Sequence, residues 1–396
     1  MLANRLENIG FSEIRKVYEE VTKRQKLGLD TLNLLLGEPD FDTPQKIVEA
    51  AIHSLNDGDT HYTSNFGLNE LRSILAKKLV KENKIDASAN EILITAGASE
   101  AIFLAMMALI NEGDEVLIPC PTWMNYASSC RIAGGIPVFV PLDGEKSAFS
   151  LHVETLEKYV TAHTKMLVIV NPGNPTGMIL NIEELEAISK FAIKNDLIVL
   201  ADEIYEKIIF DDSEHVSIAS LPGMKERTIT VNGFSKAYAM TGWRLGFVHA
   251  SENIINGLVR IHQNNISSLS GFTQKGAITA LIKAEEDVHE MRAQFNRRRD
   301  LVINILNQSH CFDIRPPKGA IYLFLDIKNI GKSSKEFASQ LLKETGVAVV
   351  PGDAFGIFGE GYVRLSFAAS GAILHEACHR IVAFSEHIMK EGKAIQ

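Results

Sequence analysis

TVNGFSKAYAMTGWRLG, residues 230–246, places a single lysine, Lys236, just past the end of a short apolar, β-like run. The run breaks into Asn232, Gly233 and Ser235, and Arg244 follows the lysine eight positions on. Outward from this stretch, the middle of the chain alternates short β-rich runs with longer helical patterns. The runs are EILIT, EVLIP, PVFVPL, KMLVIV, LIVLAD, TITV and LGFVHA, with SEAIFLAMMALI and NIEELEAISKFAIKN among the helical patterns between them. Strands apolar on both faces and joined by helices predict a mostly parallel sheet covered on both sides. The expectation is an α/β fold: a three-layer αβα large domain with a mostly parallel seven-stranded sheet, over residues 45–285. From about Glu286 the texture turns α+β, through a charged helix, AIYLFLDI, SKEFASQLLKE, VAVVP and YVRLSFA. A smaller α+β domain is therefore expected over 286–396, together with the N-terminal segment 1–44, whose first 30 or so residues read as helical.

With 396 residues, 46% hydrophobic and 22% charged, the chain has room for two domains and a sizeable core. A net charge of −9 argues against a dedicated nucleic-acid binder, and the run Arg297–Arg299 reads as a solvated helix face. Four cysteines without CxxC pairing make no disulfide scaffold. His375 and His379 lie four apart on a helical pattern with no third ligand nearby, so no metal site is expected. The opening MLANRLENIGFSEIRK lacks a signal-peptide core, and AIFLAMMALI is too short to span a bilayer as a helix. A cytoplasmic protein without membrane partners is the expectation.

Ligands of such sheets bind beyond the carboxyl ends of the strands. After ILIT come Gly97, Ala98 and Ser99, a small-residue turn opening a helix and suited to a phosphate, although such turns are common. After MLVIV comes NPGNPTG, residues 171–177, which could be no more than a rigid turn. After LIVLA come Asp202, Glu203 and Tyr205, where an acid could merely cap a helix. Lys236 follows TITV. No GxGxxG stands at a strand–helix junction, which counts against a dinucleotide. Each feature has a bland explanation, but their conjunction fits pyridoxal phosphate: a lysine to bind its aldehyde, a carboxylate for the ring nitrogen, donors for the phenolate oxygen and a cradle for the phosphate.

GEPDFDTP, HYTSNFG, NPGNPTG, ADEIYE, SKAYAMTGWRLG and YVRLSFA resemble, in order and spacing, the class I aminotransferases of the fold-type I pyridoxal-phosphate enzymes. The resemblance runs from about Ser12 to about Glu386. It implies that Lys236 is the Schiff-base lysine and the base that moves the substrate α-proton. Asp202 would pair with the ring nitrogen, and Asn174 and Tyr205 would bond the phenolate oxygen. Ser235, Arg244 and the Gly97–Ala98–Ser99 turn would hold the phosphate, and Trp123 would stack on the ring. Arg364 would grip the substrate carboxylate, with Gly37 close by. Tyr62 would reach the phosphate of a neighbouring subunit, which implies a homodimer with shared active sites.

Two departures matter. Gly233 stands where some members carry a serine. Ser99 stands where aspartate-specific relatives place a lysine, and segment 263–276 offers only Lys275 as a distal cation, so strict aspartate specificity does not follow. The expected activity is transfer of an amino group from an L-amino acid, aspartate or aromatic, to a 2-oxo acid such as 2-oxoglutarate by a ping-pong route. A carbon–sulfur β-lyase of the same fold, a transaminase of broader range and a ligand-sensing regulator remain as alternatives.

Overall fold

The computed structural model describes residues 2–7, 9–144 and 149–394. After a short strand β1 (Leu32–Asn33), seven strands build one sheet. They are β2 (Ile92–Thr95), β3 (Glu115–Cys120), β4 (Ile136–Pro141), β5 (Thr164–Val170), β6 (Ile198–Asp202), β7 (Thr228–Gly233) and β8 (Gly246–His249). Their spatial order is β2-β8-β7-β6-β5-β3-β4, and every pairing is parallel except the two made by β8. Each expected strand of the middle region forms, and the mostly parallel expectation holds.

The continuous apolar runs follow from burial on two faces. Along β5, Met166 and Val168 join a cluster with Ala101, Leu104, Ala127 and Leu258 from helices on one side. Leu167 and Ile169, pointing the other way, join Leu185, Ile188 and Phe191 on the opposite side. Burying each such side chain is worth about 1.5–3 kcal/mol, so both faces demand apolar residues. The helix Ile182–Lys194 is set locally by a capping box, in which the Asn181 side chain accepts from the Glu184 N–H and the Glu184 carboxylate accepts from the Asn181 N–H.

β8 decides where the chemistry gathers. It runs back between β2 and β7, so Gly246 lies opposite both Thr95 and Gly233. The connection from β7 to β8 is thereby an excursion at the edge where the parallel strands end, beside the turn that follows β2. Gly246 permits this closeness, because a Cβ there would stand 2.7 Å from the Ala98 backbone nitrogen.

Beyond the large sheet, β9 (Tyr322–Asp326), β10 (Val347–Ala348), β11 (Val350–Pro351) and β12 (Tyr362–Ser366) follow. An antiparallel sheet takes the order β11-β12-β9, while β10 pairs in parallel with β1. VAVVP forms two strands: at Val349 the chain leaves its pairing with β1 and takes up one with β12. The N-terminal helix Glu13–Lys26 buries Val21 in a cluster with Leu342, Val350 and Tyr362; Met1 and Asn8 of the segment read as helical lie outside the described residues. Among the described residues, no helix is long and apolar enough to cross a membrane.

Candidate active site

A cavity of about 340 Å³ opens at the carboxyl edge of the large sheet, between it and β12. Its wall includes Gly37, Ala98, Ser99, Trp123, Asn174, Asp202, Tyr205, Ser235, Lys236, Arg244 and Arg364. Two of the residues singled out in the sequence stand elsewhere. Gly97 lies just behind the wall, at φ 82°, as the residue before the helix Ala98–Leu109. Tyr62 is 92% exposed, in a surface region with Ser268 and Phe272.

Lys236 is held by the β7–β8 excursion and donates from Nζ to the Gly37 carbonyl. Burial lowers its pKa below the usual lysine value, and the nearby Tyr322 and Glu38 only partly oppose this. On the same excursion Arg244 adopts the left-handed conformation at φ 52° and donates to the Thr241 carbonyl at 2.8 Å. Its guanidinium stands so close to Gly97 that a Cβ there would meet Nη2 at 2.7 Å. Left-handed backbone in a non-glycine residue is the kind of strain that functional sites retain.

Asp202 ends β6 and is buried. Tyr126 Oη donates to its Oδ2 at 2.7 Å, and the Ile204 N–H donates to Oδ1 at 3.1 Å. Burial still prevails over these bonds and over Lys236, and the carboxyl is pushed up to about 6. Two residues on, the Tyr205 hydroxyl meets that of Tyr322 at 2.7 Å. Arg364, on β12, is 2% exposed. It donates to Asn174 Oδ1 at 3.1 Å and to the Leu35 carbonyl at 2.6 Å, with the Tyr322 ring 4.2 Å from its Cζ. Its Nε finds no hydrogen-bond partner among the described residues. The Asn174 oxygen is thus engaged, and its amide N–H groups remain for the cavity. Trp123 meets Tyr126 edge to face at 5.7 Å. Lys275 pairs with Glu70 at 2.6 Å on the surface and does not line the cavity.

Three features were not read from the sequence. Tyr126 lies three residues after Trp123 within PCPTWMNY, and the buried end of β6 needs such a donor. Tyr322 comes from β9, where its letter reads as ordinary core. Behind the Asp202–Tyr205 turn, Glu203, Glu206 and His215 cluster with Lys78, Asn83 and Ser217. Burial raises the Glu206 carboxyl, but Lys78, His215 and Asn83 more than offset it and bring it to about 2. The ADEIYE motif holds both acids of this cluster without disclosing their partners.

The family pattern "Aminotransferase class I and II" matches residues 30–381. The chain is 47% identical to the aspartate aminotransferase of Pyrococcus abyssi over 99% of both chains. It is 45% identical to aromatic-amino-acid aminotransferase 2 of Thermococcus litoralis over the full length of both. Among solved structures, the aromatic aminotransferase of Pyrococcus horikoshii superposes with a TM-score of 0.88 at 47% identity, covering 94% of this chain and 99% of that one.

Proposed function

The chain belongs to the class I and II aminotransferases and is an amino acid transaminase; we propose that it works with pyridoxal 5'-phosphate anchored at Lys236. The donor is an L-amino acid of the aspartate or aromatic kind, as the names of the relatives suggest, and the acceptor is a 2-oxo acid such as 2-oxoglutarate. The convergence of Lys236, Asp202 and Arg364 on one cavity carries this reading.

The residues present fit the cofactor. Gly97, Ala98, Ser99, Ser235 and Arg244 form an anion cradle at a helix N-terminus, and a side chain at Gly97 would fill it. Asp202 is a buried carboxylate whose hydrogen-bond partners are neutral, suited to a protonated ring nitrogen. Asn174 and Tyr205 face the cavity with donors for an anionic oxygen, and Trp123 offers a face for stacking. Bound there, the cofactor supplies an aldehyde that captures amines and an electron-withdrawing ring that acidifies the substrate α-carbon.

The chain's own residues do the rest. Burial favours the neutral amine of Lys236, which is the form able to act as nucleophile and then as base for the proton leaving the α-carbon. Arg364, its plane fixed by Asn174 and Leu35 on one side and the Tyr322 ring beneath, presents a fork that binds an α-carboxylate beside Gly37. Asp202 stays ionised when a cation neighbours it. The exposure of Tyr62 supports a homodimer in which it serves the partner's cavity. The seven-stranded sheet and the two smaller sheets, one of which joins β1 to β10, support a division at 45–285 and 286–396 with 1–44. Four unpaired cysteines suit a reducing cytoplasm.

Lys236→Ala is expected to lose the visible absorbance of the lysine-bound cofactor and nearly all turnover. A variant that kept both would remove the basis of the assignment. Steady-state rates with paired substrates should give parallel double-reciprocal lines, and intersecting lines would argue against the two-stage exchange.

A further inference from the structure

Tyr205, in the turn after β6, and Tyr322, on β9, reach the cavity and meet through their hydroxyls at 2.7 Å, both side chains buried. Two hydroxyls carry two protons, and only one serves the bond between them. The other is available to a third group, and which tyrosine keeps it depends on which one donates. On its far side, Tyr322 Oη abuts the Gly37 backbone so closely that a methyl group at Gly37 would clash with it. The Gly37 carbonyl already accepts from Lys236. Among the described residues, Tyr205 Oη is the one hydrogen-bond partner recorded for the Tyr322 hydroxyl, and both tyrosines line the cavity.

We propose that Tyr322 is a positioning residue of this site: its hydroxyl donates to Tyr205 Oη and leaves the Tyr205 proton aimed at an anionic oxygen of the bound ligand. A hydroxyl that accepts a hydrogen bond becomes a stronger donor, by about 10–30% per link in condensed phases. The same side chain has a second, separable task, since its ring backs the Arg364 guanidinium at 4.2 Å. The charged and titratable groups facing the pair are Asp202 and Tyr126 at the end of the large sheet, Lys236 from the β7–β8 excursion and Arg364 from β12. Their fields act on both hydroxyls, so the effect of Tyr322 has to be read by removing its oxygen alone.

This inference rests on the proposed cofactor and its anchor, and the test keeps the two apart. The visible absorbance of the lysine-bound cofactor is titrated with pH in the wild-type holoenzyme, in Tyr205→Phe and in Tyr322→Phe. A donor at the cofactor's phenolic oxygen favours the form that has lost its proton, so weakening that donor raises the titration midpoint. Tyr205→Phe should give the larger rise and Tyr322→Phe a smaller one of the same sign. In Tyr322→Phe kcat should fall about 2- to 10-fold, the range of one lost hydrogen bond, while KM holds because the ring still backs Arg364. An unmoved or lowered midpoint in Tyr322→Phe overturns the proposal, since a packing role alone would leave the midpoint where it was.

Gly37→Ala reads the same contact without altering either tyrosine. Its methyl group should push the Tyr322 hydroxyl aside and raise the midpoint, and adding Tyr322→Phe should then bring no further rise. Additive rises in the double variant would contradict the shared contact, and if Tyr322→Phe folded poorly, an unmoved midpoint in Gly37→Ala alone would do so. A wild-type chain that never develops the absorbance would instead remove the cofactor reading itself.

Discussion

Asp202 and Glu206 lie four residues apart on one turn and are both buried carboxylates, yet their acidities move in opposite directions. Burial pushes Asp202 up to about 6. Burial acts on Glu206 as well, but Lys78, His215 and Asn83 bring it down to about 2. The difference is that Glu206 has its cation within the chain. Asp202 has a tyrosine hydroxyl and a backbone N–H, with Lys236 only a minor influence. A buried carboxylate without a paired cation costs stability unless something supplies one. On the cofactor reading, the ring nitrogen is that missing partner. The back of the turn is finished by folding, and the front is left to be finished by a ligand.

The largest expected effect comes from breaking the finished side. Lys78→Met should cost about 3–5 kcal/mol, because it strands the Glu206 carboxylate in a buried site beside Glu203. Denaturant unfolding of the cofactor-free chain measures it, and a cost below about 1 kcal/mol, the usual worth of an exposed pair, would show that the cluster is not a structural clasp. A smaller effect is expected on the ligand side of the cavity. Gly97→Ala should cost about 1–3 kcal/mol for its φ of 82°, and the methyl group should also displace the Arg244 guanidinium. Equilibrium dialysis should then show weaker cofactor binding. Unchanged affinity would mean that this turn does not hold the phosphate.

Most of the large sheet was legible because burial on two faces leaves an unbroken apolar run at each strand, and LIVLAD or KMLVIV has no competing explanation. Strand ends also pointed to Asp202, Asn174 and Lys236, each within five residues of such a run, and the structure brings all three to one cavity. What stayed hidden depends on contacts far apart in the chain. VAVVP has uniform β propensity, and only the change of partner at Val349 divides it. Lys78 sits on a helix beside Lys77, and nothing in the letters marks it as the one that meets Glu206. Tyr322 and Tyr126 look like core aromatics, and their hydroxyl bonds exist only once β9 and the helix Asn125–Ile132 are packed at the sheet edge. Tyr62, an exposed side chain, was singled out by the family resemblance alone.

The measurement closest to the central claim is the thermal stability of the wild type and Asp202→Asn, each with and without pyridoxal phosphate, from pH 4 to pH 8. In the cofactor-free wild type, the Asp202 pKa is raised from 3.8 to about 6. Its penalty is therefore absent below pH 4, grows as pH rises between these values, and is complete above pH 6. At about 1.4 kcal/mol per unit it reaches at most about 3 kcal/mol. Empty Asp202→Asn should thus be the more stable chain at pH 8 and nearly equal to the wild type at pH 4. With cofactor the order at pH 8 should reverse, because only the carboxylate can pair with the protonated ring nitrogen. A cofactor-induced rise in Tm as large in Asp202→Asn as in the wild type would contradict the account.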